Sequence, residues 1–420
     1  AGGGSRRKQL IYNGDEVSAA SYPFGAIICS TMHSQEKCDA ICTGSLVSPG
    51  VILTAAHCFN DFMDLYELDN DFEGRESYER EITSSYRVVF GVDKSGPHSV
   101  SDTVGVKKIV VGEPFEFGHL SSSWDVALIF LDECNTDTEP IKMLQIGSSD
   151  DGSEAAALES AAATATAMAA REVLPSQVSI LGWGDSEGFC VTPYYSPDSH
   201  DPLQLMEYNS EACGSLAYCK QFPDRCDEQL TMCMAQENIA SCNGDSGGPI
   251  FAQARVLPPA SEQYRKSAKD ESADGEKEEE EEGPGTEMGV GAVLRSDEVE
   301  EGTNQIKSKW GQVVEGGERK MEKKKAVASN GQQFVQVGVL SSGEVISTGA
   351  SSYQWSARAV AQGPSRTFKD QATGAFLPAY NQWLKKHLAA DACLHKTFLT
   401  VEDLFVDHTA LTTAKGGTSD

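Results

Sequence analysis

The sequence predicts an all-β fold, and three observations carry that expectation. Its apolar and β-branched residues come in short runs: FGAIIC (24–29), TGSLVSPGVILTA (43–55), RVVFGV (87–92), VGVKKIVV (104–111), VALIFL (126–131), QVSILGWG (177–184) and FVQVGVLSS (334–342). Turn-forming residues punctuate the intervals between them. Helical spacing is clearest near the end, in PAYNQWLKKHLAA (378–390), where Tyr380, Leu384 and Leu388 recur at i, i+4 and i+8 and predict a closing helix. Short strands of this kind favour a β-barrel or sandwich over a parallel sheet, whose strands would alternate with helices.

Four segments read as insertions between the runs. Residues 59–85 are acidic and aromatic without a clean period, 148–174 are low-complexity Ala, Ser and Thr, 253–331 are highly charged, and 344–373 are rich in Ser, Gly and Gln. Fifteen acidic side chains stand against five basic ones between residues 262 and 301. Charge at that density, with few large apolar groups, does not offset the entropy of ordering, so disorder is expected there. The 420 residues then leave about 250 outside the insertions and ends, enough for one large all-β domain.

A net charge of −29 works against attraction to nucleic acid or anionic lipid. No run of 18 apolar residues occurs, so no membrane-spanning helix is expected. Twelve cysteines without a CxxC pair point to disulfides and an oxidising compartment rather than to zinc. Cys29 and Cys38 are near enough in sequence to close a local hairpin. The acidic pairs of 59–85 lack the alternating ligands and central glycine of a calcium loop, so no metal is expected. The sequence begins at Ala1 without a leader; a secretory leader is expected to have been removed or to lie outside it.

The chemistry centres on SCNGDSGGPIF (241–251), which sets Ser246 in a glycine-rich turn. A serine hydroxyl is a poor nucleophile until a neighbouring base takes its proton. Among eight histidines, His57 stands out, because GSLVSPGVILTAAHC leads a hydrophobic run into it and Cys58 follows directly. The base in turn needs a carboxylate that fixes its tautomer. Asp125 in WDVALIFL opens an apolar strand, where an unpaired carboxylate would be costly. Taken singly, each residue has a plainer reading: a turn serine, a structural histidine, a strand-capping aspartate.

Together, TAAHC, DVAL and GDSGGP in this chain order resemble the trypsin/chymotrypsin-like serine peptidases. The order His, Asp, Ser separates that family from subtilisin-like and α/β-hydrolase enzymes. YPFGAII (22–28), GWG (182–184), GVLSSG (338–343) and the helix around Trp383 extend the resemblance over most of the chain. It implies two packed antiparallel β-barrels with a C-terminal helix and several long loop insertions. It also implies an activation-peptide remnant at 1–10, a peptidase domain at 11–390 and a C-terminal tail at 391–420.

The resemblance implies a secreted serine endopeptidase without a cofactor, made as a zymogen and acting on protein or peptide substrates. Ser246 would be the nucleophile, His57 the base and Asp125 its orienter. The N–H groups of Gly244 and Ser246 would form the oxyanion hole, and Ser341 would hydrogen-bond the aspartate. Disulfides Cys42–Cys58 and Cys219–Cys233 follow from the same likeness. Partners would include an activating protease and protein inhibitors, with no nucleic acid.

Two departures qualify the likeness. Activation in the family pairs a new N-terminal Ile with the aspartate before the nucleophile, here Ile11 with Asp245. IYNG stands in place of the usual IVGG, and Leu10 precedes Ile11, so release needs a leucine-cutting protease or trimming. At the base of the primary pocket the likeness places Ala240, with Ser341 on the cleft-lining segment and Gly343 and Gly374 on the walls, which implies a preference for apolar or aromatic side chains. Glu344 is the acid placed to alter that preference. The alternative to an enzyme is a non-catalytic binding protein on the same scaffold.

Overall fold

The computed structural model describes residues 14–62, 75–112, 124–145, 177–184, 203–209, 230–237, 241, 244–256, 332–346, 369–397, 399–407 and 411–412. These belong to one unit formed by residues 1–257 and 325–420. Most of the insertions expected at 148–174, 253–331 and 344–373 lie outside the described residues, as does the middle of 59–85.

Seventeen strands are described. The first nine are β1 (Asp15–Glu16), β2 (Gly25–Ser30), β3 (Lys37–Ser48), β4 (Val51–Thr54), β5 (Tyr86–Phe90), β6 (His98–Ser99), β7 (Val104–Val111), β8 (Ala127–Leu131) and β9 (Lys142–Gln145). The rest are β10 (Gln177–Gly182), β11 (Gln204–Asn209), β12 (Thr231–Glu237), β13 (Pro249–Val256), β14 (Gln332–Ile346), β15 (Lys369–Phe376), β16 (Phe405–Asp407) and β17 (Leu411–Thr412). The run at 43–55, read above as one stretch, is two antiparallel strands, because Pro49 and Gly50 turn the chain between β3 and β4.

The fold is all-β and trypsin-like, and its C-terminal sheet closes. Strands β10, β11, β12, β15, β14 and β13 pair antiparallel in that order, and β13 returns to β10. Two parallel pairings lie outside this ring, β9 with β14 and β9 with β16. The N-terminal sheet runs β2-β5-β7-β8-β4-β3-β6, and β2 also pairs with β3. Every residue of β2 and β4 is buried, and four of the five residues of β8. Where both faces of a sheet are covered, neither set of alternate side chains reaches solvent. That explains runs without polar alternation.

Several segments depart from the expectation. Phe59, placed above at the start of an insertion, is fully buried and meets the Tyr86 ring edge-on at 5.0 Å. The end of the same insertion forms helix α1 (Arg75–Ser85), which buries Ile82 and Thr83 against the strands. Strand β13 runs to Val256 and β14 to Ile346, so the boundaries at 253 and 344 fall inside strands, and β15 begins at Lys369 before the boundary at 373. The closing helix α2 is shorter than expected, Asn381–Leu388, because the chain first makes a short 3-10 turn at Leu377–Tyr380. Its stripe is as expected: Tyr380, Leu384 and Leu388 are all buried.

Residues from 391, expected as a tail, are built into the body as far as 407. Helix α3 (Ala392–Thr397) follows at once, Cys393 bonds Cys134, and β16 extends the C-terminal sheet beside β9. The buried Asp391 carboxylate accepts from Ser48 Oγ, from Gly50 N at 3.2 Å and from Cys393 N at 2.8 Å.

Candidate active site

Strand β3 is the element that brings the site together. Cys42 and Thr43 are consecutive on it. Cys42 forms a disulfide with Cys58, which fixes the residue after His57. Thr43 donates its N–H to the Ser246 carbonyl at 2.9 Å and its hydroxyl to the Gly244 carbonyl at 2.8 Å. Two neighbouring residues of one strand thus tether both the histidine turn and the serine turn. Cys58 Sγ lies 3.9 Å from the Ser246 carbonyl oxygen, across the same junction.

The serine turn has an unusual backbone. Gly244 takes φ 94° and Gly247 φ 78°, a region that side chains disfavour. At Gly247 a β-carbon would also fall 2.0 Å from Thr54 Oγ1 and 2.5 Å from the Thr43 carbonyl. Ser246 is half-buried between them.

Asp245 is fully buried and accepts from Gly184 N at 2.8 Å. A β-carbon at Gly182 would lie 2.2 Å from Asp245 Oδ1, and one at Gly184 2.4 Å from Oδ2. 

The GWG motif is therefore a bed shaped to a carboxylate. Between the two glycines, Trp183 is buried and donates Nε1–H to the Val92 carbonyl at 3.2 Å.

His57 and Asp125 form the electrostatic centre. Asp125 Oδ1 accepts the His57 backbone N–H at 2.9 Å, and Oδ2 faces His57 Nδ1 at 2.8 Å. Ser341 Oγ donates to Oδ2 as well. The Asp125 side chain is 2% exposed and the His57 side chain 29%, so the carboxylate is shielded while the ring reaches solvent. Burial pushes the His57 pKa down, but the Asp125 charge and its hydrogen bond outweigh that and hold the imidazole above its ordinary 6.5. With Nδ1 bonded to Asp125, the other ring nitrogen is the one left for a substrate or nucleophile. Ser341 lies on the carboxylate side of the ring, which makes it a partner of Asp125.

The remaining residues singled out from the sequence divide by location. Gly343 pairs with Ala372 between β14 and β15. Gly374 is packed so closely that a β-carbon would meet Ile250 Cδ1 and the Val339 carbonyl at 2.4 Å each. Ile11, Ala240 and Cys219 lie outside the described residues. Cys233 is disulfide-bonded, its partner also lying outside them, and Cys29 pairs with Cys38. Ligand atoms of Cys42, His57 and Cys58 lie within 4.8 Å of one another, but both sulfurs are committed to the disulfide. Among the described residues no helix is long and apolar enough to cross a membrane.

Sequence reasoning missed Thr43, Asp391 and Trp124. Thr43 sits inside a run read only as a strand, and nothing local marks its hydroxyl as the tether of Gly244. Trp124 precedes Asp125 and is the one non-glycine residue with positive φ among the described residues, at 60°.

Residues 11–268 match the Trypsin family profile. The match covers more than half of the chain, which belongs to that family. Similar proteins include the serine protease grass of Drosophila melanogaster, 28% identical over 259 residues. Another is the CLIP domain-containing serine protease B15 of Anopheles gambiae, 23% identical over 257 residues. Each alignment covers 60% of this chain, and the chain spans 58% and 61% of the two relatives' own lengths.

Proposed function

We propose that this chain is a secreted serine endopeptidase, made as a zymogen, that cleaves peptide bonds through an acyl-enzyme. The observation that carries the reading is the buried Asp125 carboxylate bound to both the backbone N–H and Nδ1 of a half-exposed His57. This arrangement holds the tautomer in which the other ring nitrogen accepts a proton. His57 takes the Ser246 hydroxyl proton as the oxygen attacks the substrate carbonyl. The same proton passes to the leaving amine when the C–N bond breaks. Water then repeats the sequence on the ester and releases the acid. Ser341 holds Asp125 from the far side.

The N–H groups of Gly244 and Ser246 form the oxyanion hole in this reading. Losing one such donor costs about 2.7–4 kcal/mol in the transition state. Ile11, once it is the N-terminus, pairs its ammonium with Asp245. Ala240, Gly343 and Gly374 frame a primary pocket for an apolar or aromatic side chain, with peptides and proteins as substrates and an activating protease and protein inhibitors as partners. Disulfides at Cys29–Cys38, Cys42–Cys58 and Cys134–Cys393 support an extracellular setting. The pairing of β2 with both β3 and β5 supports reading the N-terminal sheet as a second barrel. The peptidase domain then begins at Ile11, after a remnant of the activation peptide at 1–10, and runs past 390 into the segment built into the body as far as 407.

The test is incubation of the chain with a fluorophosphonate, followed by intact mass and peptide mapping. One adduct on Ser246, confined to chains that begin at Ile11, is the expected result. No adduct on chains that do begin at Ile11 would reject the enzyme and favour a binding protein on this scaffold.

A further inference from the structure

Trp124 stands immediately before Asp125 in a conformation that a bulky residue rarely takes. Such a backbone persists only where its surroundings hold it. Here the holding group is identifiable. The Trp124 N–H donates to Tyr380 Oη at 3.0 Å, and the Tyr380 hydroxyl donates onward to the Leu230 carbonyl at 3.2 Å. The two rings meet edge-on with centroids 5.0 Å apart. The Trp124 carbonyl accepts from Val126 N at 2.7 Å, closing a tight turn with Asp125 at its centre.

We infer that Tyr380 is a positioning residue for Asp125, its hydroxyl pinning the left-handed backbone of Trp124 and so aiming the carboxylate at His57. Tyr380 is itself held by packing. It is buried, it directly precedes α2, and it begins the apolar stripe that continues through Leu384 and Leu388. The closing helix thereby reaches the His57–Asp125 pair through one hydroxyl and one peptide bond. The aim has little tolerance, because Asp125 must present Oδ1 to a backbone N–H and Oδ2 to a ring nitrogen and a hydroxyl at once. A backbone at residue 124 that relaxed to negative φ would swing the Asp125 side chain out of that register. The role rests on the proposed peptidase reading, but its geometric part does not depend on turnover.

The test is Tyr380→Phe, which keeps the buried ring and removes only the hydroxyl. Two readouts are taken. The first is NMR titration of the His57 ring in the full chain, and the second is kcat per fluorophosphonate-titrated site after activation. Y380F is expected to move the His57 pKa down toward 6.5 and to lower kcat by about tenfold with KM unchanged, the size of one neutral hydrogen bond. Trp124→Gly provides the converse, since glycine takes positive φ without a tether. W124G is expected to keep the raised His57 pKa, alone or combined with Y380F. A Y380F chain that melts earlier but keeps the wild-type His57 pKa and kcat would overturn the inference, leaving the hydroxyl a purely structural role. A drop in the His57 pKa in W124G would also overturn it, by assigning the aim to the indole ring. Failure of the activated wild type to react with the fluorophosphonate rejects the peptidase reading alone, and the NMR comparison still decides the positioning role.

Discussion

Replacing Asp125 by Asn changes no shape and removes one of two acceptors that three donors share. The His57 backbone N–H points at Oδ1, while His57 Nδ1 and Ser341 Oγ point at Oδ2. The backbone N–H cannot turn away, so the amide oxygen settles at the Oδ1 position and the amide NH₂ at Oδ2. That NH₂ faces Nδ1 as a donor. The imidazole must then carry its proton on the other nitrogen, where it can no longer take one from Ser246. Flipping the amide restores the working tautomer but sets two buried donors against each other at the His57 backbone. Each unsatisfied buried group costs about 1–3 kcal/mol, so the working form lies roughly 2–6 kcal/mol uphill, about 30-fold to 10⁴-fold in rate. The assay is kcat for a small ester or amide substrate at neutral pH, per mole of activated, folded chain. An expected loss of that size, without loss of fold by circular dichroism, fits the tautomer argument. A D125N chain within threefold of wild type would refute it.

The other expectations follow from single contacts. Ser341→Ala leaves Oδ2 with the His57 donor, so kcat should fall only by about tenfold or less, the net worth of one hydrogen bond; a loss as large as that of D125N would mean that Ser341 acts in the chemistry itself. Because His57 is held above 6.5 by Asp125, kcat/KM should rise with pH to a plateau, with its acid limb centred above 6.5. The stability sign is opposite: a raised folded-state pKa favours the folded chain fully below 6.5, and the gain disappears as pH rises through the folded value. Urea titrations of wild type and His57→Ala at pH 5.5 and 9 should therefore differ more at the lower pH. Gly247→Ala should destabilise by about 3 kcal/mol or more, since a β-carbon meets both strain and backbone there; normal stability of G247A by denaturant melt would contradict the turn geometry. Cys134→Ser with Cys393→Ser should cost about 2–5 kcal/mol and open residues 391–407 to limited proteolysis, followed by mass spectrometry.

What the sequence made legible follows a physical pattern. Strands β2, β4 and β8 of the first sheet were readable because they are buried on nearly every residue, so each one is a dense apolar run. Strands β11, β12 and β15 were not readable. KDQATGAF owes its small residues to close packing: at Gly374 the neighbouring Val339 carbonyl and Ile250 leave no room for a side chain. Tight approach thus erased the bulky, β-branched signal on which strand reading depends. His57, Asp125 and Ser246 were legible through the order of three motifs, since each needs particular neighbours within a few positions. Their supports were not. Thr43 holds Gly244 across 201 residues, and Tyr380 holds Trp124 across 256.

The C-terminal segment makes the same point in its sharpest form. Asp391 is an acid after two alanines, and its composition resembles any exposed tail. In the fold it is 3% exposed and caps the turn between β3 and β4, 343 residues away from Ser48. Two residues on, Cys393 ties the same segment to Cys134 just after β8. Farther on, β16 pairs with β9 in the other sheet. A segment with one end anchored to the N-terminal sheet and the other joined to the C-terminal one limits how far the two can separate. Since His57 and Asp125 come from the first sheet, and Ser246 and Ser341 from turns and strands of the second, that strap bears on the site without touching it. No periodicity encodes such a link; it exists only where distant parts of the chain have already been brought together.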